Sequence, residues 1–266
     1  MQGFHNSRTG CARGAASPRF GHVAAHSEKA MDLQVRVWRG KEQGAFTTYE
    51  VRREESQTVL DVIVYIQRHL ESSLSYRYAC RVGMCGSCAM NVNGVARWTC
   101  RTHVSKVVTG NELEIAPLSN LPVIKDLATD MRDFFDKWSR AKGQFKGATT
   151  RHDDFAQVRP ASKERRAAAA GIECIGCGIC YASCDVVTWR PDFLGPAALN
   201  RAWTLVNDVR DTQQGERLRA VAGDAGCHAC HTQGSCTERC PKQLEPTTAI
   251  AGLKRITARA AIRGIL

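Results

Sequence analysis

The chain has 266 residues, 43% of them hydrophobic, with thirteen cysteines and a formal charge of +11. That is enough apolar material for a sizeable core, and the length suits two domains. No apolar run approaches the roughly 20 residues a membrane-crossing helix needs, and no secretory-type segment stands at the start, so a disulfide framework is not expected. The positive charge raises nucleic acid as a partner. The cations are dispersed, however, over Arg52-Arg53, Lys163 to Arg166 and Lys254 to Arg263, so a solvated or partner-facing surface is expected and a nucleic-acid partner is not.

Residues 1–30 carry Arg8, Arg13 and Arg19 among Ser, Gly and Ala, with no acid before Glu28. They are expected to be a disordered tail, a transit-like segment or residues ahead of a true start at Met31. Cys11 has no ligand spacing around it. Leu33 to Trp38 alternates apolar and polar as a half-buried strand does, and Phe46 to Val51 repeats the pattern after Gly44. Val59, Val62, Ile63, Ile66 and Leu70 share one helical face behind Ser56 or Thr58 as cap. Asn93-Gly94 between two short apolar runs signals a hairpin. Glu112 to Ile115 reads as a last strand. Helices are expected over Ile124 to Trp138, Lys163 to Ala170, Ala197 to Val209 and Thr247 to Ile262, with Pro246 in an acceptable first-turn position. Ala141 to Pro160 is polar and reads as a connection. The fold class is α+β: a β-grasp, plant-type ferredoxin-like domain over 31–135, then an all-helical domain of bacterial-ferredoxin type over 136–266.

Eleven cysteines fall into three spaced groups. Cys80, Cys85 and Cys88, closed by Cys100, have the plant-type spacing that holds a [2Fe–2S] centre. Gly83, Gly86 and Ser87 let that loop turn tightly and aim backbone N–H groups at sulfur; a four-cysteine zinc site is the alternative. Cys174, Cys177, Cys180 and Cys184 have bacterial ferredoxin spacing, in which the fourth cysteine serves the other cluster. Cys240-Pro241 then crosses back, so a [4Fe–4S] centre is expected on Cys174, Cys177, Cys180 and Cys240. In the last run Gln233 stands where a middle cysteine belongs. A [3Fe–4S] centre is therefore expected on Cys184, Cys230 and Cys236. Cys227 lies on the wrong side of Cys230 to fill the vacant corner and reads as a small buried apolar side chain. Three oxidised centres with their thiolates, at about −2 each, would bring the chain's balance down to about +5.

The chain resembles the iron–sulfur subunit of succinate dehydrogenase and fumarate reductase over residues 32 to 262. The matching words are Tyr78-Ala-Cys-Arg-Val-Gly-Met-Cys-Gly-Ser-Cys88, Glu173-Cys-Ile-Gly-Cys-Gly-Ile-Cys180, Pro191-Asp-Phe-Leu-Gly-Pro-Ala-Ala-Leu199 and Cys236-Thr-Glu-Arg-Cys-Pro-Lys-Gln-Leu-Glu-Pro246. The resemblance implies an electron-transfer subunit with no substrate site of its own. A flavoprotein partner, which alone holds FAD, would oxidise succinate, and electrons would pass through the three centres to a quinone shared with membrane anchor subunits. Membrane contact would run through those anchors, at the cytoplasmic face of a bacterial inner membrane or the matrix face of a mitochondrion. Fumarate reduction by the same parts, or service to another flavoenzyme, are the alternatives. Trp189 and His231 match residues of the family's quinone pocket. Asp185 departs from the family, which has proline after the fourth cysteine of the middle run; the departure bears on the acceptor's identity.

Overall fold

The computed structural model describes residues 32–266, so the readings of residues 1–30 and of Cys11 lie outside the described residues. The alternating runs form strands because each buries one face. In β1 (Leu33–Arg39), Leu33, Val35 and Val37 point into the core, and β2 (Ala45–Val51) pairs with it antiparallel. Helix α1 (Val59–Tyr65) lays Val59, Val62 and Ile63 on that core and continues through one wider turn, Ile66–Leu70. Thr58 caps it: its hydroxyl accepts from the N–H of Asp61, and the Asp61 carboxylate accepts from the N–H of Thr58. Strands β3 (Ala89–Val92) and β4 (Val95–Trp98) form the expected hairpin, with Asn93 and Gly94 both at positive φ. Strand β5 (Glu112–Ala116) enters the middle, parallel to β1 and antiparallel to β3, giving the order β2-β1-β5-β3-β4. This is a β-grasp sheet with α1 across it.

The sequence pattern misleads over Ile124 to Trp138. A small hairpin, β6 (Val123–Lys125) and β7 (Ala128–Thr129), precedes a shorter helix, α2 (Arg132–Arg140). Asp126 is the reason. At φ 52° it turns the chain, and its buried carboxylate accepts from Arg39 Nε at 3.1 Å, Gly40 N–H at 2.8 Å and Ser75 N–H at 2.9 Å. A helix through this point would lose all three.

Thereafter the described residues are helical: α3 (Lys163–Ile172), α4 (Ile179–Ala182), α5 (Asp185–Trp189), α6 (Gly195–Val206), α7 (Gln214–Ala222), α8 (Ser235–Glu238) and α9 (Pro246–Ile262). Helix α6 is central and packs against α2, α3, α7 and α9. Helix α7 is invisible to an apolar pattern because its chief inward residue is Arg217, fully buried against Asp211 at 2.7 Å and bonded to the carbonyls of Lys142 and Gln144. Those bonds pin the polar connection after α2 to the helical core.

Asp126→Ala should cost about 3 kcal/mol, the lower end for breaking a buried ion pair because Arg39 keeps some solvent. Anaerobic urea unfolding followed by tryptophan fluorescence checks this; a midpoint equal to wild type would mean the hairpin does not depend on that carboxylate.

Candidate metal centres

The first site grows from the loop between α1 and β3, which carries Cys80, Cys85 and Cys88. Cys100 lies in a single tight turn, Thr99–Arg101, directly after β4. The hairpin fixes this return: the N–H and hydroxyl of Thr99 both donate to the Cys88 carbonyl, at 3.1 and 2.9 Å. Cys88 and Cys100 are buried beside Leu60 and Val64 of α1, whereas Cys80 and Cys85 are half-buried. Three N–H groups point at the Cys80 sulfur, from Val82, Met84 and Cys85, at 3.5, 3.2 and 3.3 Å. The Ser87 hydroxyl, with further hydrogen bonds around it, outweighs burial and lowers the Cys85 thiol to about 6. Burial and then the Cys88 sulfur push Cys100 up to about 12. The four sulfurs thus lie in mutual electrostatic reach.

The second site is a small cavity lined by Cys174, Cys177, Cys180 and Cys240 with Phe134, Leu244 and Pro246. Cys174 and Cys177 lie between α3 and α4, Cys180 is on α4, and Cys240 follows α8. Glu173 and Lys242 close a 3.3 Å ion pair that ties the two approaches together. Burial pushes the Cys177 thiol up to about 12 and Cys180 well above the usual thiol range, and the neighbouring cysteines add to both shifts.

The third site is a small cavity lined by Cys184, Cys230 and Cys236 together with His231, Gln233 and Thr247. Burial raises Cys184 and Cys236, opposed at Cys184 by the N–H groups of Val187 and Val186 at the start of α5, and at Cys236 by Thr247. Trp189 is exposed, with its ring centroid 6.2 Å from that of His231. Asp185 faces a separate polar cavity with Ser235 and Arg239. Cys227 lines neither thiol cavity; it is fully buried with its sulfur 3.6 Å from the Thr257 hydroxyl.

These donor sets fit iron–sulfur centres. Buried thiols that raise one another's proton affinity make an unstable collection of bare thiolates, and a cationic inorganic core reverses that preference. Sulfurs sharing one cavity wall, with N–H groups aimed at them, are what such a core requires.

Contacts between the sites had no signal in the spacing. Gly86, at φ 73°, lies against the second site so closely that a Cβ there would meet Cys177 Cβ at 2.6 Å. Asn120 donates to the carbonyls of Tyr181, Ala182 and Cys184 at 3.2 to 3.3 Å and accepts from the Thr188 hydroxyl. Buried Lys137 pairs with Asp133 at 3.0 Å and bonds Tyr181, between Cys180 and Cys184.

Two family models match the chain: a 2Fe-2S iron-sulfur cluster binding domain over residues 33–136 and a 4Fe-4S dicluster domain over residues 171–244. The fumarate reductase iron-sulfur subunit of Mycobacterium tuberculosis is 35% identical over 225 residues, 83% of this chain and 89% of that one. The mitochondrial succinate dehydrogenase [ubiquinone] iron-sulfur subunit 1 of Oryza sativa is 36% identical over 204 residues, 76% of this chain and 72% of that one. Among solved structures, a chain of the Mycobacterium smegmatis Sdh1 complex in the apo form superposes with a TM-score of 0.78 at 27% identity, covering 86% of this chain and 97% of that chain.

In chain freed of iron, Cys85 should alkylate faster than Cys100, because the thiolate is the nucleophile. Its rate should rise with pH and reach half its plateau at about 6, while Cys100, at about 12, stays slow at neutral pH. Peptide mass spectrometry after timed iodoacetamide treatment reads both, and equal rates at neutral pH would contradict the geometry.

Proposed function

The chain belongs to the family of iron–sulfur subunits of fumarate reductase and succinate dehydrogenase, and from that premise we propose a relay of three centres running from a flavin to a quinone. Bound iron–sulfur centres supply one-electron steps with little rearrangement, which lets a two-electron flavin feed a one-electron path. Cys80, Cys85, Cys88 and Cys100 would hold the [2Fe–2S] centre. Cys174, Cys177, Cys180 and Cys240 would hold the [4Fe–4S] centre, and Cys184, Cys230 and Cys236 a [3Fe–4S] centre. The observation that carries this reading is the gathering of these cysteines into three separate sets, two with four sulfurs and one with three.

This chain's residues bind, insulate and space the centres. The FAD would lie in a flavoprotein partner and the quinone would be shared with membrane anchor subunits. Trp189 and His231 are the proposed quinone contacts, supported by their exposure, by His231 in the lining of the three-sulfur cavity and by the Trp189 ring 6.2 Å from that of His231. Among the described residues no helix is long and apolar enough to cross a membrane. Attachment would therefore run through the anchors, at the cytoplasmic face of a bacterial membrane or the matrix face of a mitochondrion. The division into a 31–135 domain and a 136–266 domain is proposed on the same footing, supported by the separate apolar core of the sheet and α1, while Ala89, Ala96, Leu118, Leu121 and Phe134 pack with the helical core. Succinate oxidation is the preferred direction. Fumarate reduction is the second reading, favoured by the names of relatives 35% identical to this chain.

Electron paramagnetic resonance on anaerobically purified complex should show an oxidised three-iron signal, with two further signals appearing on reduction. Gln233, which lines the three-sulfur cavity, marks the missing corner. Gln233→Cys should abolish the oxidised three-iron signal and add iron. Retention of that signal at unchanged iron would contradict the assignment of the vacant corner, and absence of all three signals in wild type would end the relay reading.

A further inference from the structure

We propose that the Thr247 hydroxyl, oriented by Thr237, raises the reduction potential of the centre at Cys184, Cys230 and Cys236 by donating a hydrogen bond to the Cys236 sulfur. The inference rests on the proposal above that these thiolates hold a redox centre. Thr247 is the second residue of α9 and lines their cavity, with its Oγ1 3.3 Å from Cys236 Sγ. Two more contacts decide which atom gives the proton. The Thr237 hydroxyl donates to Thr247 Oγ1 at 2.9 Å, and the Thr247 N–H donates to Thr237 Oγ1 at 3.2 Å. Thr237's proton is therefore already directed at Thr247. A metal-bound thiolate has no proton to give. The Thr247 proton is left pointing at sulfur.

The other two sulfurs of this site face backbone donors. Cys230 receives the Thr232 N–H at 3.4 Å, and Cys184 faces the N–H groups of Val187 and Val186. Thr247 brings a side-chain donor, which substitution can remove without rebuilding the loop. Arrival of one electron forms and breaks no bond; it increases the negative charge shared by the sulfurs. A hydrogen-bond donor aimed at one of them stabilises the reduced form more than the oxidised form, so the potential rises. Thr247 is a positioning residue in this account, since it acts on the centre through Cys236.

The test is a redox titration of the membrane-bound holo-complex, following the oxidised three-iron signal. Thr247→Val should shift its midpoint to more negative potential, and Thr247→Ser, which keeps the hydroxyl, should restore it. Thr237→Val should shift it in the same direction by less, because Thr247 loses the contact that orients it and Cys236 loses the weaker influence of the Thr237 hydroxyl. Thr257→Val, which removes a hydroxyl further along α9 that faces Cys227, should leave it in place. An unchanged midpoint in Thr247→Val at full iron content, or a shift as large in Thr247→Ser, overturns the inference. Should Thr247→Val lose the centre, an unchanged midpoint in Thr237→Val overturns it instead. A wild-type complex with no three-iron signal overturns the ligand assignment, and the inference falls with it.

Discussion

Cys174, Cys177, Cys180 and Cys240 bring four sulfurs to the wall of one cavity, and at Cys180 burial and the surrounding thiols together drive the proton affinity well up. Such a set holds together when positive charge sits among the sulfurs, and it then works against solvent instead of against itself. The core around it suits that arrangement. Much of it is small: Ala197, Ala198 and Ala202 of α6, with Gly178 and Pro196, leave room beside the cavities. Cys240 joins the three cysteines of an earlier run across the whole of α6, α7 and α8. Metal binding would therefore add to the folding free energy of the second half, beside its apolar core of Phe193, Leu194, Leu199, Ile250 and Leu253. The first half has its own apolar core, built from Leu33, Val35, Ile63, Leu113 and Ile115.

The two halves share apolar surface, with Ala89, Ala96, Leu118 and Leu121 packed in one core with Ile179 and Val186, and close polar and backbone contacts add to it. Gly86 lies against the Cβ of Cys177 because it carries no Cβ of its own; one there would meet Cys177 Cβ at 2.6 Å. Asn120, beyond the last strand of the large sheet, donates from its amide toward the carbonyls of Tyr181, Ala182 and Cys184 around the end of α4. Lys137 reaches Tyr181 from α2. Each of these contacts ends at a segment carrying cysteines, so hydrogen bonds and close packing together hold the spacing between sites.

Much of this was legible in the sequence, and the parts that were not share a cause. Strands β1 and β2, the Asn93-Gly94 turn and the Thr58 cap all follow from local pattern, since alternation, turn conformation and capping involve neighbours in the chain. The cysteine groups were legible because ligand spacing is also local, and the crossing of Cys184 and Cys240 follows from the geometry of paired clusters. The helix expected from Ile124 failed at Asp126, whose partners Arg39, Gly40 and Ser75 are remote in sequence. Helix α7 escaped notice because a buried arginine takes the place of its apolar stripe. Thr247 gave no sign, since a threonine early in a helix reads as ordinary until Cys236 and Thr237 are brought beside it.

The three sites also differ in how they meet solvent. At one end Cys80 and Cys85 are half-buried, and Val82 and Met84 stand 59% and 62% exposed on the same loop. At the other end Trp189 is 62% exposed, with His231 beside it at the three-sulfur cavity. Between them the four-sulfur cavity is walled by Phe134, Leu244 and Pro246. Electrons must be exchanged with partners at the ends and kept from solvent in the middle, and this distribution of exposure serves both needs. It also has an electrostatic consequence. An added electron is opposed most where burial is deepest and helped where hydroxyl or N–H donors face sulfur. By that reasoning the centre proposed for the middle set would be the hardest of the three to reduce, with Gly86 against Cys177 on one side and Cys236 within electrostatic reach of Cys180 on the other.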